Sequence, residues 1–208
     1  MEALVYTPEG KENGKIVLKD ELFGREVQLG LIHRLLGLQR SNARIAIAHA
    51  KKRGEVNGST RKLYKQKGTG QARVGDARSP VRRGGGAAFG PRNDRNFTIR
   101  MNKKERRAAL FSLLSSKAVS NQIKIIESIN ADTMKTKQMK SLVENMNIGS
   151  GVMAVLPEDT AAFTAGRNLP TVKMIGVNYL NPADLLKYKD LVFTKASLEK
   201  FYGMYLGN

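Results

Sequence analysis

Residues 54–97 constrain the fold more than any other part of the chain, because this stretch cannot build a core of its own. It contains nine of the 20 glycines in the 208-residue chain. Its few large apolar residues, among them Leu63, Val81 and Phe89, follow neither a helical nor a strand period. A loop this long inside a compact domain is uncommon and is usually functional or disordered. Drawn out as a hairpin, it can reach at most about 70 Å from the domain that carries it.

The positive charge of the chain is concentrated in and around this loop. Residues 40–107 hold 20 Lys and Arg against 4 Asp and Glu, which gives a net charge of +16. The whole chain carries +18, so the rest of the sequence is nearly neutral. Charge localised in this way is typical of a surface that binds a polyanion, and it differs from the mixed charge of an ordinary soluble surface.

The chemistry of the loop suits phosphate groups. An arginine can donate two hydrogen bonds to one phosphate, while a lysine acts as a point charge. Glycines allow close backbone approach and offer bare N–H groups. Folded RNA is the expected host, since it presents phosphate-lined clefts and unstacked bases. Tyr64 and Phe89 either stack on such bases or pack against the domain, and both alternatives are open. The candidate RNA-binding residues are Arg44, Lys51, Lys52, Arg53, Arg61, Lys62, Lys65, Lys67, Arg73, Arg78, Arg82, Arg83, Arg92 and Arg95.

The C-terminal half alternates short apolar segments with helical patterns. Four strands and their helices predict the α/β class, with an open, mainly parallel four-stranded sheet covered by helices. Residues 3–6 and 16–18 can add short strands. The predicted strands are 123–126, 152–156, 172–177 and 191–194, and the predicted helices are about 132–149, about 159–165, one that starts at Asn181-Pro182, and one that carries Leu198 and Phe201.

Helices are predicted on both sides of the basic loop. Residues 29–53 look largely helical, and the bases at the end of this stretch suit the C-terminal end of a helix dipole. Asn102, with Glu105 three residues later, suits a helix start. We therefore expect one α/β domain over residues 1–208, interrupted at about 54–97 by an extended RNA-binding loop.

The sequence shows no catalytic or metal-binding pattern. Cysteine is absent, and His33 and His49 are isolated, so neither a metal nor a cofactor is predicted. The run from Gly149 to Ala154 matches a dinucleotide-binding spacing, but its glycines precede a predicted strand, which favours a turn. The N-terminus lacks the features of a signal peptide, and no apolar run approaches the ~18 residues of a membrane span. We expect a soluble, cytosolic protein without enzymatic activity.

The loop resembles that of ribosomal large-subunit protein four of the bacterial type. Helix residues 108–114 also fit the segment after the loop in that family, and the likeness covers the whole chain in order and length. Gln71 stands where the family usually has Arg, and Tyr64 lies near a position that is commonly Trp. The matching segments are Lys65-Gln66-Lys67-Gly68-Thr69-Gly70-Gln71-Ala72-Arg73-Val74-Gly75, Ser79-Pro80, Arg83-Gly84-Gly85-Gly86, Phe89-Gly90-Pro91 and Asn102-Lys103-Lys104.

The resemblance implies a structural constituent of the large ribosomal subunit. Members of the family bind large-subunit ribosomal RNA early in assembly, and their loop threads inward through the RNA. The loop tip lines the nascent-peptide exit tunnel, near another tunnel-wall protein, where it meets the nascent polypeptide. The resemblance also implies localisation to the cytoplasmic ribosome. By motif position, the tunnel-lining tip here is Gln66, Lys67, Gly68, Thr69, Gly70, Gln71, Ala72 and Arg73.

Two other functional classes make different demands on the sequence. An RNA-modifying enzyme such as a methyltransferase needs a glycine-rich turn after a strand and an acid further on, and neither is evident. An architectural DNA-binding protein or transcription regulator needs a base-reading element such as a helix-turn-helix, which the sequence does not display. The free loop is predicted to be mobile and to become ordered on RNA.

Overall fold

The computed structural model describes residues 1–129 and 135–207. They form two compact units. The first comprises Met1–Leu38 and Arg100–Asn208, and the second is Gln39–Ile99. The first unit contains the sheet and nearly all of the helices, and the second contains the basic loop.

The first unit is built on a six-stranded sheet with the order β2-β1-β3-β6-β4-β5. Every neighbouring pair is parallel except β1 and β2, which are antiparallel. Residues of β4 and β6 are buried along their whole length, as expected for parallel strands covered on both faces. The strands are β1 Glu2–Tyr6, β2 Glu12–Val17, β3 Ile123–Ile126, β4 Gly151–Val155, β5 Val172–Gly176 and β6 Asp190–Thr194.

Seven α-helices are present in the part of the chain that the structure describes. The helix α2 spans the boundary between the two units along the chain, and a short 3₁₀ turn, Val177–Tyr179, follows β5. No described helix is both long and apolar enough to cross a membrane. The helices are α1 Asp20–Phe23, α2 Leu29–Ala43, α3 Lys103–Val119, α4 Thr136–Asn145, α5 Thr160–Gly166, α6 Pro182–Lys187 and α7 Lys195–Leu206.

Hydrophobic side chains cover both faces of the sheet. Alternate residues of a strand point to opposite faces, so neighbours along β3 enter different clusters. Ile125 packs with Leu114 of α3 and Phe201 of α7 in one cluster. Ile126 packs with Met139 of α4 in the other. The first unit therefore has three layers, with helices packed against both faces of the sheet.

The structure confirms the α/β class and corrects the four-stranded sheet to a six-stranded one, whose added strands β1 and β2 overlap the possible strands at 3–6 and 16–18. The N-terminal strand β1 runs parallel to β3, with Val5 opposite Ile125. The edge strand β2, which pairs only with β1, is mostly exposed. Its residues Glu12–Val17 are mostly polar and lack the mainly apolar run by which the parallel strands are recognised.

The helix predicted over residues 29–53 ends at Ala43, so the bases at 51–53 do not lie at a helix C-terminus. Two side chains near the end of α2 form hydrogen bonds with the backbone of the segment that follows the basic loop. The Ser41 hydroxyl donates to the Phe97 carbonyl oxygen at 2.6 Å, and the Asn42 side chain accepts from the Ile99 N–H at 2.8 Å. Ile45, β-branched and exposed, also disfavours continuation of the helix.

The other predicted helices are present, although α4 ends at Asn145, before the predicted end near residue 149. The helix α3 begins after Asn102, although neither Asn102 nor Glu105 forms the expected capping bonds. Asn181 caps α6 by accepting from the Ala183 N–H. Residues 132–134, the predicted start of α4, lie outside the described part of the chain. A single domain interrupted by a loop remains a prediction.

Candidate nucleic-acid interface

The second unit is strongly basic and has almost no core. Residues 39–99, all of which the structure describes, contain 15 Lys and Arg against 3 Asp and Glu. Gly86 is the only one of them that is buried. Hydrophobic burial therefore contributes little to this unit, and hydrogen bonds between backbone segments define its shape.

A hairpin-like turn carries the predicted tip. The Leu63 N–H donates to the Gly75 carbonyl oxygen at 3.0 Å, and the Tyr64 hydroxyl donates to the Ala72 carbonyl oxygen. Beyond these contacts the chain reverses through Gly68, whose φ of 81° lies in the left-handed region that favours glycine. The Tyr64 hydroxyl therefore helps to close the turn.

Every residue of the hairpin tip is exposed. We use this name for the residues Gln66, Lys67, Gly68, Thr69, Gly70, Gln71, Ala72 and Arg73. The tip presents two cations, and Lys65 adds a third at its N-terminal end. The Lys62 ammonium donates to the Gln66 amide oxygen at 2.6 Å, on the same turn. The geometry therefore gathers several basic side chains around a narrow, side-chain-poor reversal of the backbone.

A second set of contacts joins two segments of the unit, one before and one after the hairpin tip. We call residues 49–55 together with 86–93 the clasp. The Ala50 N–H donates to the Pro91 carbonyl oxygen at 2.9 Å, and the Ala87 N–H donates to the Lys51 carbonyl oxygen at 2.8 Å. A Cβ at Gly86 would overlap the backbone of Lys52 and Arg53, so only glycine permits this approach.

The carboxylate of Glu55 supplies the ionic contact of the clasp. The Nη1 atom of Arg92 lies 2.6 Å from both carboxylate oxygens of Glu55, and the Lys52 N–H donates to the same carboxylate at 2.9 Å. The hydrogen bond from Arg92, followed by that from the Lys52 backbone, lowers the pKa of Glu55 to about 2. Hydrogen bonding to Glu55 raises the pKa of Arg92 in turn.

Two predicted RNA-binding arginines flank one aromatic ring. The guanidinium carbon of Arg44 lies 4.1 Å from the ring centroid of Phe97, and that of Arg95 lies 4.9 Å away. Such cation–π contacts are worth about 0.5–1 kcal/mol at exposed sites. They orient both guanidinium groups while leaving their side chains exposed, so the pair can still donate to a phosphate.

The predicted bases divide into exposed and internally bonded groups. Two of them, Arg78 and Arg92, are partly buried. Arg78 donates to the Val56 carbonyl oxygen at 3.5 Å, and Arg92 is held by Glu55. Both contacts stabilise the unit, and RNA contact by these two arginines remains a prediction. The exposed bases are Arg44, Lys51, Lys52, Arg53, Arg61, Lys62, Lys65, Lys67, Arg73, Arg82, Arg83 and Arg95.

Sequence reasoning missed the acid and the ring that organise these cations. Glu55 is the only acid between Arg53 and Arg61, an isolated opposite charge in a basic run that could have marked an internal ion pair. Phe97 lies two residues after Arg95, a spacing that places both side chains on one side of an extended backbone. No local signal indicated that Arg44 would meet the same ring.

Groups with catalytic or metal-binding potential are few. No cluster of three or more His, Cys, Asp or Glu that could hold a metal ion occurs among residues 1–129 and 135–207. His49 has a neighbouring carboxylate that its sequence context did not indicate, since its Nε2 lies 4.0 Å from Glu55. Gly149 precedes β4, which begins at Gly151, so this glycine pattern is a turn before a strand, as predicted.

Comparisons with known proteins agree with the resemblance of the loop. The model of the ribosomal protein L4/L1 family matches residues 16–204. A large ribosomal subunit protein uL4 from Lachnospira eligens is 43% identical over 201 residues, which cover 97% of each chain. Proteins of the same name from Dehalococcoides mccartyi and Desulfatibacillum aliphaticivorans are 41% and 38% identical, and the matches cover 96% and 97% of this chain and 95% and 98% of theirs. The chain belongs to the ribosomal protein L4/L1 family.

Proposed function

We propose that this protein is a structural constituent of the large ribosomal subunit that binds large-subunit ribosomal RNA. The relatives that it matches over nearly their full length are named as large-subunit ribosomal proteins. Such a protein works in the cytoplasm as part of the ribosome, through binding and without catalytic turnover. Its partners are the ribosomal RNA and neighbouring large-subunit proteins.

The observation that carries this proposal is the second unit, which combines 12 exposed predicted RNA-binding bases with a single buried residue. A surface of this kind binds by neutralising phosphates and releasing their counterions. Because little apolar surface is buried within the unit, contacts with RNA supply the stabilisation that a core would otherwise give. This supports ordering on RNA of the loop outside the clasp, where the Ala50 and Ala87 N–H groups already bond to other segments.

The hairpin tip is the part of the unit proposed to line the nascent-peptide exit tunnel. Its turn is narrow, closed by the Tyr64–Ala72 hydrogen bond, and free of aromatic and large apolar side chains between Lys67 and Ala72. A segment with these properties suits a confined passage between RNA walls, beside another tunnel-wall protein and the nascent polypeptide. In the domain organisation that we propose, one α/β domain carries this RNA-binding insertion at about 54–97.

The salt dependence of binding tests the electrostatic mechanism. If about eight bases of the second unit each neutralise a phosphate, the logarithm of the binding constant should fall with the logarithm of salt concentration at a slope near −6 to −7. The measurement is a titration of the full chain with protein-free large-subunit ribosomal RNA at several salt concentrations. A flat response would contradict the proposal.

A matched pair of variants locates the phosphate contacts. Neutralising four bases of the hairpin should reduce the magnitude of the slope by roughly 3, since each lost contact removes about 0.7–0.9. Neutralising four exposed lysines of the first unit should leave the slope unchanged, and the reverse result would place the interface elsewhere. The hairpin variant changes Lys62, Lys65, Lys67 and Arg73 to glutamine, and the control changes Lys11, Lys137, Lys140 and Lys187.

A further inference from the structure

Phe89 is a fully exposed aromatic residue in a unit whose other two aromatic residues have internal partners. Tyr64 closes the hairpin through its hydroxyl, and Phe97 lies between two guanidinium groups. The exposed ring of Phe89 has no comparable contact in residues 39–99. The structure therefore separates two aromatics, Tyr64 and Phe89, that were equivalent at the level of sequence.

The backbone on both sides of Phe89 is anchored by the clasp. The Ala87 N–H bonds to Lys51 at 2.8 Å on one side, and the Pro91 carbonyl oxygen accepts from Ala50 at 2.9 Å on the other. A Cβ at Gly90 would lie 2.8 Å from the Cβ of Ala50, so the turn fits closely against this neighbour. Phe89 itself has a φ of 53°, in the left-handed region that residues other than glycine seldom adopt.

The chain segment beside this turn is basic. Lys51 accepts the hydrogen bond that anchors the turn, and Gly86 lies against the backbone of Lys52 and Arg53. All three of these basic side chains are exposed. A partner that covers the ring must therefore present negative charge next to a flat apolar surface. Single-stranded RNA offers this combination, with phosphates alongside unpaired bases, whereas an apolar protein surface would leave the cations unpaired.

We propose that the ring of Phe89 stacks on an unpaired base of the bound RNA, between phosphates held by Lys51, Lys52 and Arg53. This inference rests on the proposed RNA-binding function and adds an apolar contact to it. Stacking of a base on an aromatic side chain is sequence-tolerant, since every base has a π-face. Phe89 thus fixes the position of one nucleotide on the clasp without reading its identity.

Substitution of Phe89 distinguishes stacking from charge neutralisation. F89A should weaken binding of protein-free large-subunit ribosomal RNA by about tenfold to a hundredfold. The log–log salt slope should stay at the parent value, because stacking releases no condensed counterions. F89Y should retain parent affinity within about threefold, since it keeps the ring. V81A, at another exposed apolar residue of the unit, should bind like the parent.

Either of two results in these titrations would overturn the inference. One is an affinity of F89A within twofold of the parent. The other is a loss of affinity that comes with a smaller slope, which would show that the substitution had displaced phosphate-binding bases. If binding of the RNA by the parent protein showed no salt dependence, that result would instead contradict the proposed function.

A fluorescence experiment observes the contact directly, because the chain contains no tryptophan. F89W places a single indole at the proposed stacking position, and V81W places one at the matched exposed control. On addition of the same RNA, emission of F89W should be quenched severalfold and become protected from acrylamide, while that of V81W should change little. Unquenched, acrylamide-accessible F89W emission in a complex that forms with parent affinity would contradict stacking and leave RNA binding intact.

Discussion

At the scale of single residues, the carboxylate of Glu55 connects stretches of the second unit that are 37 positions apart along the chain. It accepts from Arg92 and from the Lys52 backbone, and it lies 4.0 Å from His49. Glu55 is one acid among many bases, and its carboxylate fixes the position of the Arg92 guanidinium group. The remaining bases around the clasp stay exposed for a polyanionic partner.

The pH dependence of the clasp should follow the carboxylate of Glu55. Its pKa of about 2 lies below the ordinary value of 4.5, so its contribution to stability is complete above pH 4.5 and is lost as the pH falls toward 2. Hydrogen exchange of the Ala50 and Ala87 N–H groups should accelerate over that range in the parent, beyond the change in intrinsic exchange rate. In E55Q it should already be fast at neutral pH.

The control for this prediction is D76N, which removes another acid of the same unit outside the clasp. D76N should exchange like the parent at both amides. Equal exchange rates for E55Q and the parent at neutral pH would show that the ion pair with Arg92 does not hold the clasp closed.

At the scale of elements, a buried lysine joins α3 to the segment before β6. Lys117 is almost fully buried, and its ammonium donates to the carbonyl oxygens of Tyr188 at 2.9 Å and Lys189 at 2.6 Å. Burial lowers the pKa of Lys117, because the charged form loses hydration. The lysine satisfies backbone groups just after α6 that no helix bond reaches.

Removal of this ammonium should destabilise the protein. K117M retains a similar apolar stem but leaves two carbonyl groups without their donor, which should lower the free energy of unfolding by about 1–3 kcal/mol. Urea denaturation followed by circular dichroism measures the change. K140M, at an exposed lysine that pairs with Glu144 on α4, should differ from the parent by at most about 0.5 kcal/mol. Equal stability of the two variants would argue against the role of Lys117.

Elements with a strong local signal could be predicted from the sequence, and elements defined by distant contacts could not. The runs around Ile125, Ala154 and Phe193 are mainly apolar, so their strands were found almost to the residue. The possible strand at 16–18 overlaps only the end of β2, because this strand depends on pairing with β1. The end of α2 depends on Ser41 and Asn42 bonding to a segment more than 50 residues away. Such contacts have no signature in a local window.

The candidate site was predictable to a similar extent. Basic charge and glycine content indicated an RNA-binding loop, since these are properties of the sequence itself, and the resemblance of the motif around Gly68 implied the position of its tip. Which bases remain exposed depends on tertiary contacts. Arg92 and Arg73 are alike in sequence, yet one is bound to Glu55 and the other is exposed. The roles of Tyr64 and Phe97 likewise required the folded chain.

At the scale of the whole molecule, the two units divide stability and charge between them. The first has a continuous hydrophobic core on both faces of its sheet, and the second has one buried residue and most of the net charge. A unit that cannot bury apolar surface is stabilised by what it binds. We therefore propose that the second unit is the part that secures the protein in a ribonucleoprotein particle.

Sedimentation of a tagged copy from cell lysate through a high-salt sucrose gradient tests this claim most directly. We predict that the full chain travels with the large ribosomal subunit and resists stripping by salt. A variant in which a short Gly-Ser linker replaces residues 44–96 should keep its folded first unit but remain at the top of the gradient. A full chain that stays at the top, or that leaves the particle at moderate salt, would contradict the claim.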